Sequence, residues 1–301
     1  MHNIQVGGPA MSGIDWEAAW HAYQDGRSQP GSREHWDRRA AHYGTHGAGG
    51  RLREGAYERI FLKRAGVRPG ETVLDMGCGA GLLAVPLARR GVRVVCADFS
   101  PRMLEELDAT ARAAGVRDML ELHRLAWDDD WEAAGIEPDS VDVAIASRSL
   151  ATRNLTDAVA KLDRTARRRV CATVAAGRSP MRDERAYEAV GRARESVRDY
   201  VFVTNVLFAQ GVYPELSYVV THSLPAFASH EEAFERLSGM FATPLSPEER
   251  DRLDAFLHEH YALVPDAPEG RAYQSDERRE VRWAFVAWGD GSDVETDEPG
   301  A

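Results

Sequence analysis

Lysine is nearly missing from this chain: only Lys63 and Lys161 stand among 37 basic residues, and the arginine excess reads as a GC-rich coding bias rather than a binding design. Against 48 acidic residues these leave a net charge of −11, which argues against a general grip on nucleic acid, since phosphate binding needs a net basic face. A local patch stays open, although runs such as Arg167 to Arg169 read as solvated helix ends. Cysteine is scarce as well. Cys78, Cys96 and Cys171 stand apart with no metal-like spacing, so reduced thiols in a cytoplasm are expected. No stretch approaches the roughly 20 apolar residues of a membrane span. MHNIQVGGPAMSG has neither a basic n-region nor an apolar h-region, so no secretory signal is expected and the location is read as cytoplasmic. Residues 1–13 and the acidic, almost apolar-free segment 289–301 read as disordered, and no internal repeat is evident.

What is present suffices for a full α/β core with an addition, and 301 residues suit one domain plus an insertion. A helix over 14–23 carries Trp16 and Trp20 at i and i+4, and QDGRSQPGSREH follows as a turn-rich linker. Residues 14–55 are read together as an N-terminal helical cap. A helix over 56–65 leads through Arg68-Pro69-Gly70 to a strand beginning at Val73. Further strands are predicted over 92–97, 120–126, 141–147 and 170–175. Helices over 101–114, with Ser100 as N-cap and Pro101 at N1, and over 155–167 alternate with them. That alternation is the signature of a twisted parallel sheet covered on both faces. Beyond it the pattern loosens into a long helix over 183–210, a strand over 216–224, helices over 230–241 and 247–263, and a last strand over 281–288. The main domain is thus read as 56–288, with a helical insertion at about 229–265.

The chemistry concentrates in residues 71–98, ETVLDMGCGAGLLAVPLARRGVRVVCAD. Val73 and Leu74 begin a buried strand, and Gly77, Gly79 and Gly81 let the backbone turn and approach a ligand with no Cβ in the way. The helix that follows, expected to start near Ala80, offers its free N–H groups to the turn. Asp98 ends the next strand, placed to accept hydrogen bonds from both hydroxyls of a ribose. A dinucleotide fingerprint wants a third glycine where Leu82 stands. Asp75 adds a carboxylate that would repel a pyrophosphate and suits a cationic α-amino group. An adenosyl ligand carrying such an amine, S-adenosylmethionine, fits better than NAD.

VLDMGCGAGLLAVPLA resembles motif I of the class I S-adenosylmethionine-dependent methyltransferases, in particular their small-molecule, type 11/25-like domains. The resemblance implies a Rossmann-like, doubly wound α/β fold with a seven-stranded sheet, mostly parallel and with an antiparallel last strand. It also implies S-adenosylmethionine as cofactor. Asp75, Gly77, Cys78, Gly79 and Gly81 then lie under the methionine part, Asp98 holds the ribose beside Phe99, and Asp128 in LAWDDDW reaches the adenine amino group. Ser100, Met103 and Ser147 are grouped with them, and Trp127 either covers the adenine face or packs in the core. WDRRAAHY at 36–43 is similar to a stretch that folds over the cofactor in many small-molecule methyltransferases, which brings Tyr43 to the methionine end. Trp36, Ala40 and Tyr43 at helical spacing equally make one buried helix face.

The acceptor is less legible. Methyl transfer from a sulfonium needs alignment and exclusion of water more than catalytic side chains, and a base only where the nucleophile must lose a proton. Base-methylating enzymes carry N-P-P-Y or D-P-P-Y after strand four, whereas this chain has Ser147-Arg148-Ser149-Leu150. Arg148 faces the ligand crevice and either binds a carboxylate or phosphate of the substrate or forms an internal salt bridge. His42, His46 and His222 are weak candidates for proton transfer, none with metal-ligand spacing, so no metal is expected. Many relatives have K-P-G-G before strand five, where this chain has Thr165-Ala166-Arg167-Arg168-Arg169. The insertion in such enzymes usually roofs a substrate pocket. These features favour a small-molecule methyltransferase without membrane or nucleic-acid partners, its oligomeric state open. A methyltransferase acting on protein or tRNA and a non-catalytic adenosyl-binding protein are the alternatives.

Overall fold

The computed structural model describes residues 13–25, 32–38, 40, 54–177, 183–193, 198–241, 243–268 and 270–289. The terminal segments read as disordered, apart from Gly13 and Gly289, and His42, Tyr43 and His46 lie outside the described residues. In chain order the elements are α1 (Trp16–Asp25), α2 (Ala56–Ala65), β1 (Thr72–Met76), α3 (Ala84–Arg89), β2 (Arg93–Asp98), α4 (Pro101–Ala113), β3 (Leu120–Arg124), β4 (Val141–Ser147), α5 (Leu155–Thr165) and β5 (Ala166–Ala175). Then follow α6 (Glu184–Val190), α7 (Asp199–Ala209), β6 (Glu215–Ser223), β7 (Ala226–Phe227), α8 (His230–Ser238), α9 (Pro247–His260), β8 (Tyr261–Leu263), β9 (Tyr273–Ser275) and β10 (Arg279–Gly289). Residues 33–38 form a further helical stretch.

The chain divides into two compact units, the first made of Met1–Val174, Val201–Ser217 and Phe285–Ala301. A seven-stranded sheet runs in the order β3-β2-β1-β4-β5-β10-β6. The pairs β1/β2, β1/β4, β2/β3 and β4/β5 are parallel, and antiparallel strands stand near the C-terminal end. Strands covered on both faces are apolar at their centres, and in β1 and β4 Val73, Leu74, Val143, Ala144 and Ile145 are fully enclosed. α4 lays Met103, Leu107 and Ala111 against the sheet along one face, and α5 does the same with Leu155, Val159 and Leu162. The strand order reverses at β1, which pairs with both β2 and β4, so a crevice opens beyond the carboxyl ends of these three strands.

Four expectations are corrected. The helix after the glycine turn begins at Ala84 rather than near Ala80, because residues 79–83 continue as turns. Arg167 to Arg169 belong to β5 and not to a helix end, since each guanidinium reaches a carboxylate on another element. Arg167 pairs with Asp142, Arg168 with Glu71 and Arg169 with Glu215 at 3.1, 2.9 and 2.9 Å. The long helix over 183–210 is two helices, as Gly191 adopts a left-handed φ of 80° that caps α6. The helix over 247–263 stops at His260, and Tyr261–Leu263 turns into strand β8.

The second unit, Ala175–Tyr200 with Tyr218–Ala284, contains the insertion expected at 229–265 and extends well beyond it. It is not purely helical: β7, β9 and β8 form an antiparallel three-stranded sheet. Its core gathers Tyr187 and Val190 from α6, Leu237 from α8, Leu253 and Phe256 from α9, and Tyr261 and Tyr273 from the small sheet. Ser246 and Glu249 close a capping box at the start of α9, and Glu249 also takes both arms of Arg192 at 2.7 Å each.

Candidate functional site

The three loop glycines have different tasks. All take left-handed φ values, 74° at Gly77, 53° at Gly79 and 90° at Gly81. A Cβ on Gly77 would stand 2.3 Å from the Ser149 Cβ, and one on Gly81 2.3 Å from Leu107 Cδ1. Their missing side chains therefore serve packing within the fold. Among the described residues nothing lies nearer to a Cβ on Gly79 than Met103 Sδ at 4.0 Å, so of the three it is the one with open space among those residues. The loop is pinned from behind, Gly77 and Cys78 both donating their N–H to the Ala97 carbonyl at 2.7 and 3.1 Å.

Asp98 faces the loop. Its Oδ2 accepts the Gly79 N–H and its Oδ1 the Ser100 N–H, both at 2.9 Å. Ser100 caps α4 by accepting the Met103 N–H at 3.1 Å, while its own hydroxyl donates to Asp37 Oδ1 at 2.5 Å. Asp75, two residues before the loop, is buried, and among the described residues nothing is hydrogen-bonded to its carboxylate. Burial first, and the neighbouring Asp98 charge second, push its pKa up to about 7. Asp98 is also raised, chiefly by burial, against the opposing pull of its two N–H donors. The Cys78 thiol is driven well upward by burial and by Cys96 beside it. The site thus carries the neighbouring carboxylates of Asp75 and Asp98, with Asp37 held beside them on Ser100, a surrounding that favours a ligand with a positive charge and hydroxyl donors.

Beyond β3, the Trp127 indole N–H donates to the Ser149 carbonyl at 2.9 Å, and its ring, half-buried, stands 5.7 Å from that of Trp131. Asp128 is exposed and accepts from Asn154 Nδ2 at 3.0 Å. A cleft of about 540 Å³ runs beside them, lined by Phe99, Arg124, Leu125, Ala126 and Asp129 with Arg33 and Glu34. At the end of β4, the Ser149 hydroxyl donates to the Met76 carbonyl at 2.5 Å and so stitches β4 to β1 beneath the glycine loop. The Ser147 hydroxyl is bonded to the Tyr57 phenol at 2.7 Å, which also meets Thr173 Oγ1 at 2.6 Å. Arg148 between them takes a left-handed φ of 60°, held by its N–H to the Thr173 carbonyl at 3.0 Å, and its guanidinium lies 4.5 Å over the Tyr57 ring.

α1 is fastened to the loop after β4. Trp20 Nε1 donates to the Thr152 carbonyl at 2.9 Å. Glu17 accepts the Leu155 and Thr156 N–H groups at 3.0 and 2.9 Å, capping α5 where Asn154 does not. Phe202 of α7 stacks on Tyr23 at 4.7 Å and meets Trp20 at 5.4 Å.

The structure therefore brings Asp75, Gly77, Cys78, Gly79, Gly81, Asp98, Ser100 and Met103 together, with Phe99, Trp127 and Asp128 along the adjoining edge and Ser147 and Arg148 at the end of β4. His222 is exposed on β6, in the part of that strand belonging to the second unit. Asp37, Tyr57, Ser149 and Thr173 escaped the sequence reading. Asp37 stood within WDRRAAHY, and the small residue demanded opposite Gly77 was a signal for Ser149, but the others are joined only by the fold.

Comparison with known proteins places this geometry. The family profile for a methyltransferase domain matches residues 73–169. An uncharacterised protein of Haemophilus influenzae is 30% identical over 256 residues, 84% of this chain and 88% of that protein. A ubiquinone biosynthesis O-methyltransferase of Methylocella silvestris is 51% identical over 47 residues, 16% of this chain and 18% of that enzyme. Among solved structures, a candidate methyltransferase of Bacillus halodurans superposes with a TM-score of 0.50 at 15% identity, covering 79% of this chain and 100% of that one.

Proposed function

The chain belongs to the class I S-adenosylmethionine-dependent methyltransferases, and on that premise we propose that its acceptor is a small molecule received at the carboxyl end of β4. S-adenosylmethionine supplies an activated methyl group, so what is asked of the protein is alignment and exclusion of water. The residues present fit that cofactor: the open face at Gly79 admits it, and no arginine or lysine among the described residues pairs with Asp75 or Asp98.

In this reading Asp98 holds the two ribose hydroxyls with the lone pairs left after accepting Gly79 and Ser100, and Asp75 receives the α-amino group. Gly77, Cys78, Gly79 and Gly81 carry the methionine part, with Met103 and Ser100 beneath, Ser147 beside it and Tyr43 at its end. Phe99 and Trp127 flank the adenine and Asp128 reaches its amino group. Arg148 orients an anionic group of the acceptor.

The observation that carries a small acceptor is the attachment of α1 across the loop after β4 through Glu17 and Trp20, which narrows the approach to that edge. The net charge of −11 supports it against a polyanionic substrate. Calorimetry with S-adenosylmethionine, S-adenosylhomocysteine and NAD is the first test, with micromolar binding of the adenosyl pair alone expected. Asp98→Ala should abolish it, and unchanged affinity would overturn the ribose assignment. Methyl-labelled cofactor is then incubated with fractionated cell extract. Label entering the low-molecular-mass fraction supports the proposal, and label confined to protein or RNA refutes it.

A further inference from the structure

We propose that His230, Asp254 and His258 form a site for a divalent transition-metal ion of the zinc type, in the second unit and separate from methyl transfer. His230 opens α8, whereas Asp254 and His258 are one turn apart on α9 and share a face. The Asp254 carboxylate divides its oxygens between the two imidazoles: Oδ1 is 3.2 Å from His230 Nε2 and Oδ2 is 3.6 Å from His258 Nε2. The rings are stacked at 4.5 Å with 20° between their planes, and the three potential ligand atoms all lie within 4.8 Å of one another. Among the described residues, no other group of three histidine, cysteine or carboxylate side chains converges this closely.

Hydrogen bonding does not account for the arrangement. His230 Nε2 is buried, yet it makes no hydrogen bond of acceptable geometry despite the carboxylate beside it. A metal ion resolves this, because it draws on the nitrogen lone pair from a direction that a hydrogen bond to Asp254 does not use. Zinc bonds of about 2.0–2.2 Å to nitrogen and oxygen put tetrahedral ligand atoms roughly 3.3–3.6 Å apart. The His230–Oδ1 separation of 3.2 Å lies just below that range, and a swing of His258, whose side chain is 70% exposed, brings its Nε2 toward the same oxygen and closes the histidine pair. The His230 ring is braced by Tyr273, edge-on at 5.6 Å.

Two imidazoles and one carboxylate are the donor set of zinc rather than of magnesium or calcium, and solvent completes the coordination. An ion held here ties α8 to α9 above the core they share, so its binding free energy adds to the stability of the unit. Nothing in the local pattern announces the cluster, since Asp254 and His258 make only a two-residue helix face until the fold delivers His230. The expectation of no metal rested on His42, His46 and His222, none of which belongs to this cluster.

The test uses the full chain, freed of any affinity tag and stripped with a chelator, titrated calorimetrically with zinc chloride, with its thermal midpoint followed in parallel. His258→Ala and the bulk-preserving Asp254→Asn are measured beside it, with circular dichroism to verify folding. One zinc per chain and a raised midpoint are expected, with affinity at least about tenfold weaker in each variant and S-adenosylmethionine binding unchanged in both. Absence of stoichiometric binding by the wild-type chain, or equal affinity and equal midpoint shift in wild type and folded variants, overturns the proposal.

Discussion

The Ser100 hydroxyl donates to Asp37 at 2.5 Å while the same oxygen accepts the Met103 N–H, so one serine both starts α4 and anchors the 33–38 stretch beside the loop glycines. Ser100→Ala removes a helix cap, which costs about 1 kcal/mol, and releases Asp37. Urea denaturation should show a loss of at least that size. Cofactor affinity should fall with it, whereas Ser100→Asn, which can still cap, should recover the stability but not the tie to Asp37.

Gly77→Ala and Gly79→Ala should separate fold from ligand. At Gly77 the new methyl meets Ser149 at 2.3 Å on top of the left-handed φ, so a loss of about 3 kcal/mol or more is expected. At Gly79 only the backbone cost of about 1–2 kcal/mol applies, but the methyl enters the ligand space and cofactor binding should drop steeply. Equal destabilisation by the two substitutions in thermal unfolding would contradict this division.

Asp75 makes the unliganded protein sensitive to pH in a definite direction. The unfolded chain gives up this proton near pH 3.8, while the folded state keeps it to about 7. Its contribution is therefore fully present below pH 3.8 and is lost as pH rises to about 7, a decline on the order of 4 kcal/mol across that window. Asp75→Asn should flatten that decline in denaturation curves taken from pH 4 to 8. A cationic amino group beside Asp75 favours its ionised form, so cofactor binding near pH 6 should release a proton. Calorimetry in buffers of different ionisation enthalpy measures that release, which should vanish in Asp75→Asn.

Glu17 caps α5 from a distance, accepting two backbone N–H groups and the Thr156 hydroxyl. Glu17→Ala leaves those donors to water and loosens α1, at a cost of about 2 kcal/mol. Hydrogen exchange should rise at Leu155 and Thr156 and across α1, while the amides of β1 and β2 remain protected.

The core of the first unit was readable from local pattern. Strand β4 and helix α2 fall where expected because continuous apolar runs and a four-residue apolar period are properties of the chain itself. Ser100 and Pro101 announce α4 by chemistry that operates within one turn. The errors lie where a distant partner decided. The arginines of β5 became strand residues because Glu71, Asp142 and Glu215 were there to receive them, and the last three residues of the segment expected as one helix over 247–263 became a strand because β9 offered them a ladder.

The same division runs through the site. Glycine spacing with Asp75 in β1 and Asp98 at the end of β2 pointed, by sequence alone, to a ligand with an amine and a ribose at the β1–β2 edge, since that pattern is built from nearby residues. How crowded each glycine is, that burial raises the Asp75 pKa to about 7, and that Asp37, Tyr57 and Ser149 are bonded beside these residues were decided only by tertiary structure. Those properties depend on burial and on atoms brought close from far along the chain, and neither is encoded in any local stretch.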